Sequence, residues 1–350
     1  MIIAGILVLV TMCAGSFVFY RKPYIKGQQT EIGSVTVIIP ARNEAHNLPH
    51  LLTSLQQQNI PYECLVIDDG STDETAAIAR QFGATVLTPP KREDWQGKSA
   101  ACYFGAEHAK SDHLLFLDAD VTLDHPQALK NLLTCYNGGL MTVQPYHITR
   151  KPYEQLSVWF NLLTVVGQNI FAAVTSNAAA AFGPVVLTSR ECYFETGGHY
   201  EARDQLIEGF GLATQFTQHH LPVTGLLGRD TISFRMYHSL RAMTKGWAKH
   251  FASGAAATQP WIMMLIMTWM LGSVLSLSLL IFSHDTFCLM IYLLYSLHFY
   301  ILSRRVGRFS LPTALLAGIA FLYFLYVFTK SFIHTFILKK VEWKGRNLKL

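Results

Sequence analysis

Two carboxylates, Asp118 and Asp120, stand at the end of an apolar run in residues 114–121, LLFLDADV. An uninterrupted apolar run is typical of a buried parallel strand, and open α/β sheets bind ligands at the carboxyl ends of such strands. Carboxylates there favour a hard cation such as Mg²⁺ or Mn²⁺, whose shell a substrate's phosphates complete. The pattern favours a nucleotide diphosphate site, although taken alone an acidic loop after an ordinary strand explains it equally well.

Strands and helices alternate along the first half of the chain. Apolar runs with strand character are followed by segments with helical spacing, and Ser71-Thr72-Asp73-Glu74 has the pattern of a capping box. Carboxylates follow two of the strands, so the predicted fold is α/β with a mostly parallel sheet that binds at one edge. The predicted strands are 34–40, 64–68, 84–88 and 113–118, and the predicted helices are 44–58, 71 onward and 98–109.

Composition indicates a soluble domain accompanied by membrane segments. The 350 residues are 51% hydrophobic and 15% charged, with a mean hydropathy of +0.25. They are too apolar for a plain soluble enzyme and too charged for a pure transporter. Residues 2–20 are apolar, lack a signal-peptide cleavage pattern and precede basic residues, which predicts a retained anchor. Further candidate spans are residues 261–283, 286–303 and 311–329.

The distribution of charge and cysteine excludes two other classes of protein. The net charge of +5 does not predict nucleic-acid binding, because Lys and Arg gather beside the membrane segments, where they mark the cytoplasmic side and favour anionic lipid. The six cysteines form no C-x-x-C pair and no metal-ligand spacing. They are expected to be free thiols in a reducing compartment.

Six motifs in a fixed order resemble glycosyltransferase family 2, over residues 35–253 and into the tail. Arg235-Met236-Tyr237 and Gly246-Trp247-Ala248-Lys249 are similar to its carotenoid branch, among membrane-anchored bacterial enzymes that glycosylate lipids. An ordered set is far more specific than any one motif. The six are Val37-Ile-Ile-Pro-Ala-Arg-Asn-Glu44, Asp68-Asp-Gly-Ser71, Trp95-Gln-Gly-Lys98, Asp118-Ala-Asp120, Thr196-Gly-Gly-His199 and Trp343-Lys-Gly-Arg346.

The resemblance implies a GT-A nucleotide-sugar-binding fold, a UDP-sugar donor, Mg²⁺ or Mn²⁺, and inversion of the anomeric centre. Carried over residue by residue, it implies that Pro40, Ala41 and Glu44 line the uridine and that Asp68 accepts a hydrogen bond from the uracil N–H. Alternatively, Glu44 is a solvated acid in the first turn of a helix, where the helix dipole favours a negative charge.

For the diphosphate, the resemblance implies that Lys98 lies near the nucleotide or its phosphates. It places Asp118 against the ribose or, through water, the ion, and makes Asp120 the direct metal ligand. The chemistry is sensible, because a UDP leaving group develops negative charge that a cation stabilises as a Lewis acid. Lys98 also follows Gly97 at a predicted helix start, where a cation opposes the dipole, which favours an anion nearby.

The sequence departs from the family at Glu208-Gly209. The family pattern there is Glu-Asp, with the Asp as general base on the acceptor hydroxyl, and glycine cannot accept a proton. Either Glu208 or Asp204 substitutes, or no strong base is needed. An acceptor carboxylic acid, with a reference pKa of about 4, is already ionised near pH 7 and attacks unaided. A lipid phosphate fits equally, and a chain without catalysis that only binds nucleotide or lipid is the rival explanation.

Four further residues are candidates for contact with the acceptor or the diphosphate. His199 follows two glycines and is ambiguous, since it could equally serve an unusual backbone turn. Arg241, Trp247 and Lys249 lie in residues 239–257, where basic side chains at helical spacing suit headgroups or diphosphate. A snorkelling helix beside the membrane is the alternative for that segment.

The expected organisation is a transmembrane anchor at 1–21, a cytoplasmic family 2 glycosyltransferase domain at 34–253, a transmembrane region at 260–338 and a basic tail at 339–350. Residues 155–174 are apolar but carry three amides, so an interfacial or buried helix is expected there. A full span at residues 311–329 conflicts with the positive-inside rule, because it would leave the basic tail outside the cell. That segment either dips and returns, or one of the spans is interfacial.

The expected function is a multi-pass hexosyltransferase of the cell membrane that transfers a sugar, expected to be glucose, from a UDP-sugar to an apolar lipid. The resemblance favours a carotenoid carboxylate such as diaponeurosporenoate. Alternatives are a hopanoid, a glycerolipid, a ceramide or a polyprenyl phosphate as acceptor, or a catalytically silent homologue. A processive polysaccharide synthase is disfavoured, because the Gln-x-x-Arg-Trp pattern of the cellulose type is absent.

Overall fold

The computed structural model describes residues 2–27, 33–90, 95–175, 180–203, 205, 208–283, 285–333, 340–343 and 346–349, and all of their side chains except those of residues 249–257 and 340–349. The strands are β1 Val35–Ala41, β2 Glu63–Asp68, β3 Thr85–Leu87, β4 His113–Leu117, β5 Val121–Leu123, β6 Leu140–Gln144, β7 Tyr146–His147, β8 Val185–Ser189, β9 Val223–Leu227, β10 Ile232–Phe234, β11 Lys340–Trp343 and β12 Arg346–Lys349.

The helices are α1 Ile2–Val18, α2 Leu48–Gln56, α3 Thr75–Gln81, α4 Lys98–His108, α5 Ala128–Cys135, α6 Val158–Val166, α7 Arg190–Glu195, α8 Gly198–Glu201, α9 Glu208–Gln218, α10 Leu240–Ala257, α11 Pro260–Ser283, α12 Thr286–Val306, α13 Leu311–Leu315 and α14 Ala317–Phe332. A 3₁₀-helix, Pro152–Ser157, precedes α6.

The chain divides into two compact units, each discontinuous in sequence. The sheet unit comprises Pro23–Tyr146 and Ala180–Arg235, and the helical unit comprises residues 1–22, 147–179 and 236–350. This division differs from the predicted boundaries at 34 and 253, because residues 147–179 and the segment after residue 235 pack with the apolar helices instead of the sheet.

The sheet unit is built on seven strands in the order β3-β2-β1-β4-β8-β6-β9. The pairs β1 with β2, β1 with β4, β2 with β3, and β6 with β9 are parallel. Strand β8 pairs antiparallel with both β4 and β6. The prediction of an α/β fold with a mostly parallel sheet is therefore confirmed, and the two antiparallel pairs lie where β8 is inserted.

Helix α4 packs closely on strands β1 and β2 of the sheet. A Cβ on Gly105 would lie 2.5 Å from Ile38 Cγ2 and 3.0 Å from Ile67 Cγ1, so glycine lets the helix approach strands β1 and β2. Ile38, Ile67 and Phe116 are almost fully buried in the same core cluster. Burying such side chains contributes about 1.5–3 kcal/mol each to folding.

Two helices begin later than predicted, because loop polar groups bind each other instead of capping. Helix α2 begins at Leu48 and α3 at Thr75. Ser71 Oγ accepts the Asn43 N–H (3.0 Å) and an Asp73 carboxylate oxygen accepts the Ala45 N–H (3.1 Å). The capping box predicted at Ser71 therefore does not form, and its side chains join the β1–α2 and β2–α3 loops at the binding edge.

Two helices of the helical unit, α11 with 24 residues and α12 with 21, are long and apolar enough to cross a membrane. Helices α1 and α14 are apolar but shorter. Glycines allow close packing: a Cβ on Gly15 would lie 2.5 Å from the Trp269 ring, and one on Gly272 would lie 2.0 Å from Thr11 Oγ1. The segment predicted as one span at 311–329 is instead two helices, α13 and α14, interrupted at Leu316.

Helix α6 occupies the segment expected to be interfacial or buried. Every residue from Val158 to Val166 except Thr164 is buried. Trp159 packs at a tilt against the rings of Trp269 and Phe299 at centroid distances of 5.1 and 4.8 Å, and its indole N–H donates to the Ala317 carbonyl at 3.0 Å. Helix α6 is thus a core element of the helical unit, and its nine residues are too short to span a bilayer.

Candidate functional site

The Asp118-Ala119-Asp120 turn lies between the end of β4 and the start of β5. The Asp118 N–H donates to the Pro184 carbonyl at 2.9 Å, and the Val121 N–H donates to the Asp118 carbonyl at 3.1 Å. These bonds fix the turn from both sides and leave the two carboxylates at the sheet edge, as the sequence predicts. Asp118 and Asp120 each keep part of their surface accessible.

Lys98 joins two carboxylates that are 90 residues apart in sequence. Its Nζ lies 2.7 Å from Asp118 Oδ1 and 2.6 Å from Glu208 Oε1, and it donates to the Gly183 carbonyl at 3.1 Å. Burial alone would lower the pKa of Lys98, but the charges of Asp118 and Glu208 together raise it. The ammonium is therefore held charged at the binding edge.

The position of Lys98 follows from its local backbone. Gly97 has φ +94°, a conformation that favours glycine, and it immediately precedes the first residue of helix α4. Trp95 fixes the same turn, because its indole N–H donates to Ser99 Oγ at 2.9 Å and its ring packs on Tyr103 and Tyr200. The Trp-Gln-Gly-Lys motif thus forms the turn that places Lys98 at the first residue of helix α4.

Asp120 is an acidic side chain whose charged form is disfavoured by its surroundings in the described part of the chain. Unlike Asp118, it forms no ion pair with any described residue. Burial, followed by the charges of Asp118 and Glu44, raises the pKa of Asp120 to about 7, and Lys98 opposes this increase. Glu44 is held by Asn47, whose Nδ2 donates to Glu44 Oε2 at 2.8 Å. The carboxylates of Glu44, Asp118 and Asp120 are therefore close enough to influence one another electrostatically.

This donor set fits a hard divalent cation. Among the described residues, no three carboxylate, imidazole or thiol groups gather closely enough to form a complete metal site. Mg²⁺ and Mn²⁺ are commonly held by one or two carboxylates and complete their shells with phosphate oxygens and water. Asp120 and Asp118 could supply that share of the ligands.

Asp68 and the β1 residues Pro40 and Ala41 are brought together by strand register. Ala41 pairs with Asp68, and Pro40 pairs with Ile67. Asp68 is only 8% exposed, and its Oδ1 accepts the Ser71 N–H at 3.0 Å. The other carboxylate oxygen, Oδ2, is the one that could accept a hydrogen bond from the N–H of a nucleotide base at this edge.

His199 lies in the core beneath the Gly-Gly turn, with 2% of its surface exposed. The Tyr193 hydroxyl accepts the His199 backbone N–H at 3.2 Å and is hydrogen-bonded to His199 Nδ1 at 2.8 Å. Burial, aided by the charge of Lys98, lowers the pKa of His199 to about 3. Gly197 and Gly198 have φ +72° and +50°, and a Cβ on Gly198 would lie 2.4 Å from the Tyr193 ring. The histidine is therefore a neutral core group.

We expect His199 to make stability depend on pH. Its pKa is about 3 in the folded protein and about 6.5 when unfolded, so the unfolded state binds more protons between these values and stability falls as the pH drops below 6.5. Lowering the pH from 7.5 to 5.5 should cost about 1.4 kcal/mol through this group. Thermal unfolding in detergent of wild type and His199→Gln, at both pH values, measures it. An equal pH dependence in the two proteins would contradict the assignment.

Gly209 is required by packing. A Cβ there would lie 2.2 Å from the Ala181 carbonyl oxygen, and the Ala181 N–H donates to the Gly209 carbonyl at 2.8 Å. Next to it, a Cβ on Gly183 would lie 3.3 Å from Lys98 Nζ and 3.4 Å from Glu208 Oε1. The segment from Ala180 to Pro184 thus holds the start of α9, and with it Glu208, against Lys98. Sequence reasoning missed this segment, although its Gly-Pro pair before an apolar strand was a usable signal.

Arg235 is a second residue that the site prediction omitted. Phe234 pairs with Val121 in the β5–β10 ladder, which places Arg235 beside Asp120, and the Arg235 N–H donates to the Asp120 carbonyl at 3.4 Å. The signal was present in the sequence, in the Arg235-Met236-Tyr237 motif.

The other predicted acceptor residues belong to the helical unit. Arg241 and Trp247 lie on helix α10, where Trp247 stacks on Phe160 at a centroid distance of 4.9 Å and packs edge-on against Tyr237 at 6.1 Å. Lys249 is on the same helix, but its side chain is outside the described set. Asp204, the alternative base, also lies outside the described residues.

Comparison with known proteins identifies the family. A sequence profile described as Glycosyl transferase family 2 matches residues 36–159. The 4,4'-diaponeurosporenoate glycosyltransferase of Staphylococcus aureus strain MRSA252 is 41% identical over 361 aligned positions, which cover 98% of this chain and 96% of that protein. The protein of the same name from strain USA300 is 40% identical with the same coverage.

A solved structure shows the fold. The mannosyltransferase PcManGT from Pyrobaculum calidifontis, in complex with GDP-Man and Mn²⁺, superposes with a TM-score of 0.54 at 16% identity, covering 95% of this chain and 99% of that one. The GT-A fold expected from the sequence is confirmed. With 41% identity over nearly its whole length to the Staphylococcus aureus protein, the chain belongs to glycosyltransferase family 2, in the branch of the 4,4'-diaponeurosporenoate glycosyltransferases.

Proposed function

We propose that this protein is a membrane-bound, metal-dependent, inverting glycosyltransferase that transfers glucose from UDP-glucose to a carotenoid carboxylate such as diaponeurosporenoate. One observation carries the proposal. In a chain of this family, the Asp120 carboxylate lies without an ion pair among the described residues, beside the Asp118–Lys98–Glu208 cluster at the edge of the sheet. Such an edge suits a sugar nucleotide whose leaving group must be stabilised.

The uridine would lie against the β1 and β2 strand ends. Pro40, Ala41 and Glu44 would line the uridine, and the second carboxylate oxygen of Asp68 would accept from the base N–H. The register between Ala41 and Asp68 supports this assignment, since it brings both residues to one edge. The burial of Asp68 also strengthens a hydrogen bond made there.

The diphosphate would lie between Lys98 and Asp120. A bound Mg²⁺ or Mn²⁺ would act as a Lewis acid on the departing UDP, with Asp120 as its direct ligand and Asp118 in support. Lys98 holds a positive charge where the leaving group becomes more negative, so it stabilises the transition state more than the ground state. Phosphate oxygens entering the site would compete with Asp118 and Glu208 for the Lys98 ammonium.

Gly209, in place of the family's aspartate, supports a choice between acceptor classes. Packing excludes an aspartate there, and one oxygen of Glu208 is engaged by Lys98 at 2.6 Å. A carboxylate acceptor needs no base, because it is ionised near pH 7. We therefore favour a glycosyl ester as the product. A polyprenyl phosphate is the second candidate, since its oxygen is also ionised. Hopanoid, glycerolipid and ceramide hydroxyls would need Glu208 or Asp204 as base.

Glu208→Gln tests whether a base is used. With a carotenoid acid as acceptor and saturating Mn²⁺, we expect a loss in kcat of less than about tenfold and a rate that is nearly flat from about pH 6 to 8. Removal of a true general base would cost about 10²- to 10⁴-fold and change the pH profile. Steady-state kinetics on purified wild type and variant distinguish these results.

Membrane placement is supported by the surface of the helical unit. Large apolar side chains are exposed along α1, α11, α12 and α14, including Ile3 at 76% and Phe282 at 82%, while Ser273 and Ser276 are buried inside. An apolar exterior around a partly polar interior suits lipid as solvent. We propose a multi-pass cell-membrane protein whose sheet unit faces the cytoplasm, where Arg304 and Arg305 at the end of α12 would also lie.

A single cysteine tests this topology. Asn137 is exposed in the loop between α5 and β6, so Asn137→Cys should react with a membrane-impermeant maleimide only after the cells are opened. The parent protein, with its native cysteines, supplies the background for comparison. Labelling of Asn137→Cys in intact cells would reverse the topology and remove access to cytoplasmic nucleotide sugar.

Mass analysis of cellular lipids tests the proposed function as a whole. Extracts from carotenoid-acid-producing cells with and without this chain should differ by a base-labile hexose ester of the acid. A new hexose on an alcohol lipid or on a polyprenyl phosphate would replace the proposed acceptor. Identical extracts would favour a protein that binds nucleotide or lipid without catalysis.

A further inference from the structure

A cavity of about 440 Å³ lies within the helical unit, between the 3₁₀-helix Pro152–Ser157 and the segment that forms α13 and α14. Its volume falls within the range of about 300–1,000 Å³ that is typical of ligand pockets. The apolar part of the wall is formed by Pro152, Leu156, Pro312, Leu316, Ile319 and Ala320. An occupant must therefore have an apolar body.

The remaining wall is cationic at one end. Arg150 and Lys151 line the cavity, both are exposed, and neither forms an ion pair with any described residue. The nearest carboxylate in sequence, Glu154, is 2% exposed, and its Oε2 accepts the backbone N–H groups of Arg150 and Lys151. Because Glu154 is committed to the backbone, both cationic heads remain available to a ligand.

The backbone of a third basic residue, Arg308, lies close to the cavity wall. Arg308 is exposed, and its carbonyl accepts from Thr149 Oγ1 at 2.6 Å and from Gln155 Nε2 at 3.4 Å. Gln155 and Ser310, which is two residues after Arg308, both line the cavity. Two basic side chains thus line the cavity beside one buried carboxylate, and a third basic residue is close to the wall in the chain, so the cavity is electrostatically suited to an anion.

The opposite side of the cavity continues into the apolar exterior. Leu316 and Ile319 line the wall and are also 52% and 51% exposed, as part of the apolar surface that includes Leu322 and Leu325 on α14. The interruption at Leu316 between α13 and α14 forms this opening. A chain that lies in the cavity could therefore enter sideways from a bilayer, with its charged end at the basic residues.

We propose that this cavity binds an anionic membrane phospholipid, with its phosphate at Arg150 and Lys151 and one acyl chain along Leu156, Leu316 and Ile319. The proposal rests on the membrane placement of the helical unit proposed above. It adds a lipid site made only of residues from that unit. Charge complementarity selects the headgroup, and the apolar opening selects a lipid over a soluble phosphate.

Lipid retention by the purified full-length protein tests the proposal. Native mass spectrometry after titration with phosphatidylglycerol or phosphatidylcholine should show tight retention of the former only. Arg150→Gln/Lys151→Gln should weaken phosphatidylglycerol binding roughly 30-fold, since each basic residue near the surface contributes about fivefold. Lys110→Gln/Lys130→Gln removes two exposed charges from the sheet unit and should bind as wild type does. Ile319→Trp places a larger side chain in the cavity wall and leaves Arg150 and Lys151 unchanged. It should weaken phosphatidylglycerol retention by occupying the space proposed for the acyl chain.

Three results would overturn the proposal in different ways. Equal phosphatidylglycerol retention by wild type and Arg150→Gln/Lys151→Gln would contradict the lipid site alone. The cavity would instead be an acceptor site if a long-chain fatty carboxylate displaced phosphatidylglycerol from the wild type and Arg150→Gln/Lys151→Gln had a raised KM for the acceptor. Release of the wild type from carbonate-washed membranes would contradict the membrane placement, and the lipid site with it.

Discussion

Asp120→Asn is expected to lower sugar transfer by about 100- to 1,000-fold while leaving the protein folded. The substitution keeps one oxygen ligand but removes the charge that would hold a divalent cation on the diphosphate. Lewis-acid stabilisation of a leaving group is worth several kcal/mol, and each 1.36 kcal/mol is about tenfold in rate. Since burial, followed by the charges of Asp118 and Glu44, raises the pKa of Asp120 to about 7, loss of its charge should not lower stability.

The measurement is kcat/KM for transfer as a function of Mn²⁺ concentration, with thermal unfolding of the same preparations. Asp230→Asn is a matched control, because Asp230 is exposed on the turn between β9 and β10 and its φ of +64° suits asparagine. Activity of Asp120→Asn within a few-fold of wild type, with an unchanged Mn²⁺ titration, would remove Asp120 from the metal site.

Gly209→Asp is expected to abolish transfer to every acceptor. From sequence alone, this change restores the family's general base, so it should gain little with a carboxylate acceptor and much with an alcohol. The structure predicts a different result, because even the Cβ would lie 2.2 Å from the Ala181 carbonyl oxygen. Overpacking of this kind costs about 1–3 kcal/mol, or more where the obstacle is backbone. The first turn of α9 must then shift against the Ala180–Pro184 segment, whose Gly183 carbonyl accepts a hydrogen bond from Lys98, so Lys98 loses its position at the sheet edge.

Gly209→Ala separates packing from chemistry, since it adds the Cβ without a carboxylate. We expect both Gly209 variants to lose stability and activity together. Gly83→Ala is the control, because a Cβ there meets nothing within 4 Å and only the φ of +80° opposes it. Thermal unfolding and transfer assays with acid and alcohol acceptors provide the readouts. A gain in kcat for Gly209→Asp on an alcohol would show that α9 can move and that the family's base has been restored.

Local patterns were sufficient to predict the strand ends that carry Asp68 and Asp118. The apolar run before Asp118 predicts strand β4, and the run before Asp68 predicts β2, because buried parallel strands leave a near-continuous apolar signature. Both carboxylates do lie at strand ends of one sheet. The start of α4 at Lys98 was also predictable, since glycine before a helical pattern is a local signal.

Contacts between distant segments were beyond the sequence patterns. The pairing of Lys98 with Glu208 depends on how α9 docks on the Ala180–Pro184 segment, and no periodicity encodes that approach. Insertion of β8 antiparallel between β4 and β6 is a choice of tertiary topology. Helix α2 begins at Leu48, with Pro49 in its first turn, and the backbone N–H groups of Glu44 and Ala45 bond to side chains of the neighbouring loop. The interruption at Leu316 also has no Gly or Pro at the break itself.

Transfer from UDP-glucose to a matched pair of acceptors tests the central claim most directly. Purified protein in lipid nanodiscs would be given diaponeurosporenoate or the corresponding alcohol, with Mn²⁺ or with EDTA, and the products identified by mass. We predict a glucosyl ester of the acid that forms only with the divalent cation, and little or no product from the alcohol. Glucosylation of the alcohol in preference to the acid, or equal product in EDTA, would contradict a metal-dependent enzyme whose acceptor arrives already ionised.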